Sequence, residues 1–127
     1  MIRWLSAPAV RAIQLELIRE HGGRSGVRDQ NLLESALARP RNLMAYKDTD
    51  AFGLAAAYAY GICRNHPFID GNKRTALMAA YVFLRMNGYT LAASEEEAAS
   101  IFLQLADGAL TEKRLADWLR LNSKAGR

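Results

Sequence analysis

The residues best suited to chemistry crowd into one stretch, His66-Pro67-Phe68-Ile69-Asp70-Gly71-Asn72-Lys73-Arg74. It interrupts two long apolar runs. Pro67 disfavours helix at His66, so the imidazole should sit at a helix end or in a loop. Gly71 permits a tight turn and close backbone approach to a ligand. Asn72, Lys73 and Arg74 then open a new helix, whose first N–H groups and positive dipole end attract anions. Two adjacent cationic side chains strengthen that attraction, and phosphate is the natural guest. An unperturbed imidazole titrates near pH ~6.5 and can take a proton from a hydroxyl. A carboxylate beside a phosphate site needs a cation between them, and Mg²⁺ commonly binds one carboxylate plus phosphate oxygens. A base, a metal carboxylate and an anion hole together describe phosphoryl or nucleotidyl transfer to a hydroxyl. From the residue types alone, a helix–loop–helix corner with satisfied polar groups stands as an equal alternative.

Other chemistries fit less well. Gly71-Asn72-Lys73 is no Walker glycine-lysine, because Asn72 intervenes and no glycine-rich lead-in precedes it. His66 and Asp70 lack the HExxH zinc spacing, and His21, next to Gly22, reads as a helix C-terminal residue facing the dipole. Cys63, the single cysteine, lies in an apolar run and reads as a buried small hydrophobe.

The elements around this stretch read as helices. Ser6 caps a first helix with Pro8 in its first turn and an apolar stripe of Val10, Ile13 and Leu17, ended by Gly22-Gly23. Asp29 caps a second, short helix carrying Leu32, Leu33, Ala36 and Leu37, which Pro40 is expected to stop. Arg41 to Asp50 shows no period and is expected to be a loop. Thr49 or Asp50 opens an apolar helix running to Asn65, and Thr75 to Asn87 forms a second, both apolar nearly all round as central bundle helices are. Tyr89 to Leu91 reads as a brief extended piece. Ser94 with Glu97 forms a capping box for a helix that Gly108 ends, and Thr111-Glu112 begins a last helix with Leu115, Trp118 and Leu119 inward. The expectation is an all-α bundle of about six helices, a single domain over residues 1–127, with the polar stretch between the two central helices.

Composition sets the outer bounds. At 127 residues, roughly two thirds of the unfolded surface would be buried on folding, enough for a core without staples. Hydrophobic residues are 50% and charged residues 24%, the balance of a soluble globule. The longest apolar stretch, Ala51 to Cys63, falls short of the ~20 residues a membrane span needs. Pro8 and Arg11 interrupt any signal-peptide run, so a cytoplasmic setting is expected. The net charge is +4, with Lys and Arg scattered apart from Lys113-Arg114 and a tail at Lys124 and Arg127. No basic stripe with interleaved aromatics marks a nucleic-acid binder.

The polar stretch resembles the signature of the Fic/Doc family, HxFx[DE]GN[GK]R, at every specified position. Gly22-Gly23, Thr75-Ala76-Leu77, Phe83-Leu84-Arg85 and Asn87-Gly88 extend the likeness to the short Doc (death-on-curing) toxins over nearly the whole chain. The resemblance implies a Fic fold, with ATP as nucleotide and Mg²⁺ as metal. It implies His66 as the base, Asp70 as the Mg²⁺ ligand, and Gly71, Asn72, Lys73 and Arg74 as phosphate holders, with Phe68 anchoring the loop. Adenylylating members carry glycine at position 73 and a second arginine at position 77. Here these are Lys73 and Leu77, the pattern of the Doc branch, in which the γ-phosphate is transferred. The resemblance therefore implies a toxin kinase acting on a Thr or Ser hydroxyl of a translation factor, with elongation factor Tu as the expected target. An AMP-transferase and a catalytically silent antitoxin-binding module remain alternatives. A Phd-type antitoxin, its C-terminal segment lying in a surface groove, is the implied partner. No Ser or Thr stands four residues before a Glu, so the family's internal inhibitory motif is absent from the sequence. Tyr46, in the irregular segment 41–50, falls where family members hold a target-docking flap; an ordinary connecting loop is the alternative.

Overall fold

The computed structural model describes residues 1–126; Arg127, half of the basic tail read from the sequence, lies outside the described residues. Six helices and one small ribbon follow one another: α1 (Ala7–His21), α2 (Gln30–Tyr46), α3 (Ala51–Asn65), α4 (Asn72–Met86), β1 (Tyr89–Leu91), α5 (Glu95–Ala106), α6 (Glu112–Leu121) and β2 (Ser123–Ala125). The caps are those read from the sequence. Ser6 accepts the Ala9 N–H, Asp29 the Leu32 N–H, Asp50 the Gly53 N–H, Ser94 the Glu97 N–H and Thr111 the Arg114 N–H. Each satisfies one of the donors that a helix start leaves free.

Helix α3 is the axis of the fold. Eleven of its residues are buried, from Ala51 to Cys63. Leu33 and Ala36 of α2, Ala79, Ala80 and Phe83 of α4, Phe102 of α5, and Leu115 and Leu119 of α6 share one apolar cluster with it. Small residues let the helices come close. At Gly61 an added Cβ would stand 3.1 Å from the Cα and carbonyl oxygen of Ala36.

Two expectations need correction. Pro40 does not end α2, which continues to Tyr46, so residues 41–46 are helix rather than loop. A proline in a helix interior forfeits one bond to the carbonyl four residues back. Here flanking side chains hold the turn. Arg39 bonds Glu112 of α6 and lies 4.5 Å over the Tyr60 ring, while Arg41 lies 4.8 Å over Trp4. The chain tail also forms a strand that the sequence reading did not include. Ser123–Ala125 pairs antiparallel with Tyr89–Leu91, with Thr90 opposite Lys124.

Candidate active site

His66 is the residue at the end of α3, and its backbone is left-handed (φ 47°, ψ 55°). Among residues other than glycine this conformation is uncommon and strained, and such outliers cluster at functional sites. The turn reverses the chain: the His66 N–H still bonds Ile62 at 3.1 Å, while Pro67 and Phe68 dive into the protein. Phe68 is 1% exposed and belongs to the core, so the polar loop is fastened from beneath by an aromatic anchor.

Asn72 closes the loop. Its Oδ1 accepts the Phe68 N–H at 3.0 Å and its Nδ2 donates to the Phe68 carbonyl at 3.0 Å. The residue is 8% exposed, and Oδ1 and one Nδ2 hydrogen are engaged with Phe68, while its backbone N–H lies at the open start of α4. Gly71, the residue before α4, is left-handed (φ 76°) and supplies no side-chain cap. The first bond of α4 runs from the Thr75 N–H to Gly71 at 2.9 Å. The N–H groups of Asn72, Lys73 and Arg74 therefore precede the helical ladder and point toward its open end. Lys73 and Arg74 are exposed beside them. The Thr75 hydroxyl is buried one turn in, without a hydrogen-bond partner among the described residues.

Asp70 is half-buried, and its Oδ2 accepts the Arg24 N–H at 2.7 Å. That approach depends on Gly23 (φ 109°), where a Cβ would lie 3.3 Å from the Asp70 Cβ. The two glycines after α1 thus do more than stop a helix: they let the chain pass against the carboxylate. Asp70, Gly71 and Arg74 line a cleft of about 340 Å³ with Gly22, Gly23 and His21. A single hard carboxylate facing a cationic, amide-rich helix start suits Mg²⁺, which binds through one or two carboxylates and phosphate oxygens.

Sequence reasoning missed the segment that holds this loop in place. The connection from α1 to α2 runs antiparallel to residues 65–70. Ile69 N–H bonds Gly26, Val27 and Phe68 form an isolated bridge, and the N–H groups of Arg28 and Asp29 both bond Pro67, at 2.7 and 3.1 Å. Gln14, 2% exposed, spans the two strands from below. Its Nε2 donates to the carbonyls of Asp70 (3.0 Å) and Arg24 (3.3 Å), and its Oε1 accepts from Gly26 (3.3 Å). The signal was present: Gln14 follows Val10 by four and precedes Leu17 by three, a polar residue on the apolar stripe of α1.

The cleft gathers some of the expected residues and not others. Asp70, Gly71 and Arg74 line it; His66 and Lys73 are exposed outside its lining; Phe68 and Asn72 lie beneath. His21, read as a dipole-facing helix terminus, is also in the lining, 3.6 Å from Glu20. Tyr46 is 88% exposed at the end of α2 and borders a separate groove of about 520 Å³ with Arg39, Tyr60, Arg64 and Asn65. Cys63 is buried, and burial pushes its thiol up to about 11, against a smaller opposing pull from Lys73. At neutral pH it is no nucleophile.

The model of the Fic/DOC family matches residues 4–84, a span that contains the signature loop and the segment clasping it. The chain belongs to the Fic/DOC family. Among curated members, it is 35% identical over 120 residues to the protein named protein kinase doc of Escherichia phage P1, covering 94% of each chain. It is 46% identical over 74 residues to the protein named toxin Doc of Mycolicibacterium smegmatis, covering 57% of each. As in the sequence reading, the Fic/DOC signature bridges two central helices, here α3 and α4. Among the described residues, no helix is long and apolar enough to cross a membrane.

Proposed function

We propose that this protein is a Doc-type toxin, a single Fic/Doc unit over residues 1–127. It would transfer the γ-phosphate of ATP to a Thr or Ser hydroxyl of a translation factor in the cytoplasm, with elongation factor Tu the first candidate. The reading is carried by the likeness to protein kinase doc along nearly the whole chain. Two side chains support γ-phosphate rather than AMP transfer. Lys73 stands where adenylylating members have glycine, and Leu77 is half-buried against the core where they have a second arginine.

In this reading His66 takes the proton of the target hydroxyl. The freed oxygen bonds to the γ-phosphorus as the bond to the β,γ-bridging oxygen breaks, and ADP leaves. Lys73, Arg74 and the first N–H groups of α4 hold the phosphate oxygens, cations and fixed dipoles being the main means of stabilising this transfer. Asp70 is the residue that would hold Mg²⁺, which when bound neutralises charge between that carboxylate and the phosphates. Phe68 and Asn72 keep the loop in shape, and Tyr46 meets the target at the neighbouring groove. A Phd-type antitoxin, bound through its C-terminal segment, would restrain the enzyme.

The test is the intact mass of purified elongation factor Tu after incubation with the protein, ATP and Mg²⁺, with His66→Ala as control. A gain of one phosphate that vanishes with His66→Ala is the expected result. A gain of AMP would move the chain to the adenylylating branch. No transfer to this factor or to any protein of a lysate supplied with labelled ATP would leave an antitoxin-binding module.

A further inference from the structure

We infer that Arg28 is a positioning residue for His66, the residue that fixes the left-handed turn on which the imidazole is carried. This rests on the reading of His66 as the base. A helix ends with carbonyls that lack intrahelical donors, and here the two at the turn, those of Asn65 and His66, are taken by one guanidinium. Arg28 Nε donates to the His66 carbonyl at 2.8 Å and Nη2 to the Asn65 carbonyl at 2.9 Å. The fork matches two adjacent acceptors as a lysine ammonium does not. The main chain of the same residue bonds Pro67 at 2.7 Å. Arg28 therefore grips three consecutive residues, one on either side of His66 and His66 itself. The other end of the turn is also tied: Asn65 Nδ2 donates to the Leu32 carbonyl at 3.0 Å.

The need for such a grip follows from the strain at His66. Its φ of 47° is the only positive value among the described residues other than glycine. Without the side-chain donors on its carbonyl, rotation of the peptide after His66 toward commoner conformations is opposed only by the main-chain bonds to Pro67 and beyond, and the ring would move with it. Arg28 is exposed and lies outside the cleft lined by Asp70 and Arg74. Its effect on transfer thus passes through the backbone of His66.

The chain's two histidines, His21 and His66, make the test direct. In protein labelled at histidine, without nucleotide, Arg28→Ala should move or broaden the His66 ring resonances and leave those of His21 in place. In the transfer assay, kcat should fall on the order of 10-fold or more with KM for ATP within about twofold, as loss of alignment predicts. Arg28→Lys should recover part of both, since an ammonium reaches one carbonyl. Adding Arg28→Ala to His66→Ala should cost nothing further. His66 resonances and kcat that are unchanged in Arg28→Ala would overturn the inference. So would an Arg28→Lys variant that folds normally yet matches alanine in both readouts. If Arg28→Ala does not fold, the lysine variant alone decides. If the wild-type protein transfers no phosphate, the functional reading fails while the histidine spectra still decide the role of Arg28.

Discussion

Replacing Asn72 with alanine separates two roles that its position allows. The family resemblance places Asn72 among the phosphate holders, whereas the structure shows both ends of its amide bonded to Phe68 at 3.0 Å. Alanine removes two hydrogen bonds and leaves a buried main-chain N–H and carbonyl of Phe68 without partners. Each group so orphaned costs about 1–3 kcal/mol. Phe68 is 1% exposed, so water reaches these groups poorly, and the expected loss is roughly 2–6 kcal/mol. For a chain of this size that corresponds to a fall in Tm of about 10 °C or more. The neighbouring Lys73→Ala is the control. It removes an exposed side chain at a helix start and should change stability by no more than about 0.5 kcal/mol, while lowering transfer. Thermal and urea unfolding followed by circular dichroism give both stabilities, and the phosphate-transfer assay gives both activities. An Asn72→Ala protein that melts within about 1 °C of wild type yet loses transfer would refute the reasoning, and the amide would then act on the substrate rather than on the loop.

Two further outcomes test the scaffold. Gly61→Ala should destabilise by about 1–2 kcal/mol, because the new Cβ meets the Ala36 backbone at 3.1 Å and overpacking outweighs the helix-propensity gain of about 0.5–1 kcal/mol; a rise in Tm would show that α2 yields freely. The Arg120 guanidinium, bonded to Asp50 at 2.9 and 3.0 Å, holds that carboxyl below its ordinary range. The pair's stabilisation is therefore present above the usual carboxylate titration near pH ~4 and is lost as pH falls through the lowered folded value. Both side chains are nearly half exposed, so the effect is at most about 1 kcal/mol. Arg120→Ala should flatten this acid limb in urea unfolding, and superimposable wild-type and variant curves would count against the pair.

Much of the fold was legible in local signals. Caps at Ser6, Asp29, Asp50, Ser94 and Thr111, glycine stops after α1 and α4, and apolar runs in α3 and α4 are properties of short stretches, and short stretches carry them on their faces. The signature loop was legible for the same reason, since His66 to Arg74 are contiguous and their types alone point to a base, a carboxylate and an anion hole. Local rules failed where distant contacts outweighed them. Pro40 is a strong stop signal, yet α2 runs through it because Arg39 and Arg41 find partners on α3, α6 and the N-terminal segment. The strand at Ser123–Ala125 has no strand signal of its own and forms because α6 returns it to Tyr89–Leu91.

The amino-acid sequence by itself determined which side chains could do chemistry and which helices flank them. Only the tertiary structure decided how those side chains are held. Gln14, Gly23, Arg24 and Arg28 lie about forty or more residues before the loop they clasp, and nothing in their local pattern names their partners. Their donors and acceptors find the turn at His66 and the carboxylate of Asp70 only when α1 packs against α4 and α2 against α3. A hydrogen bond depends on distance and angle in space, and sequence separation reveals neither.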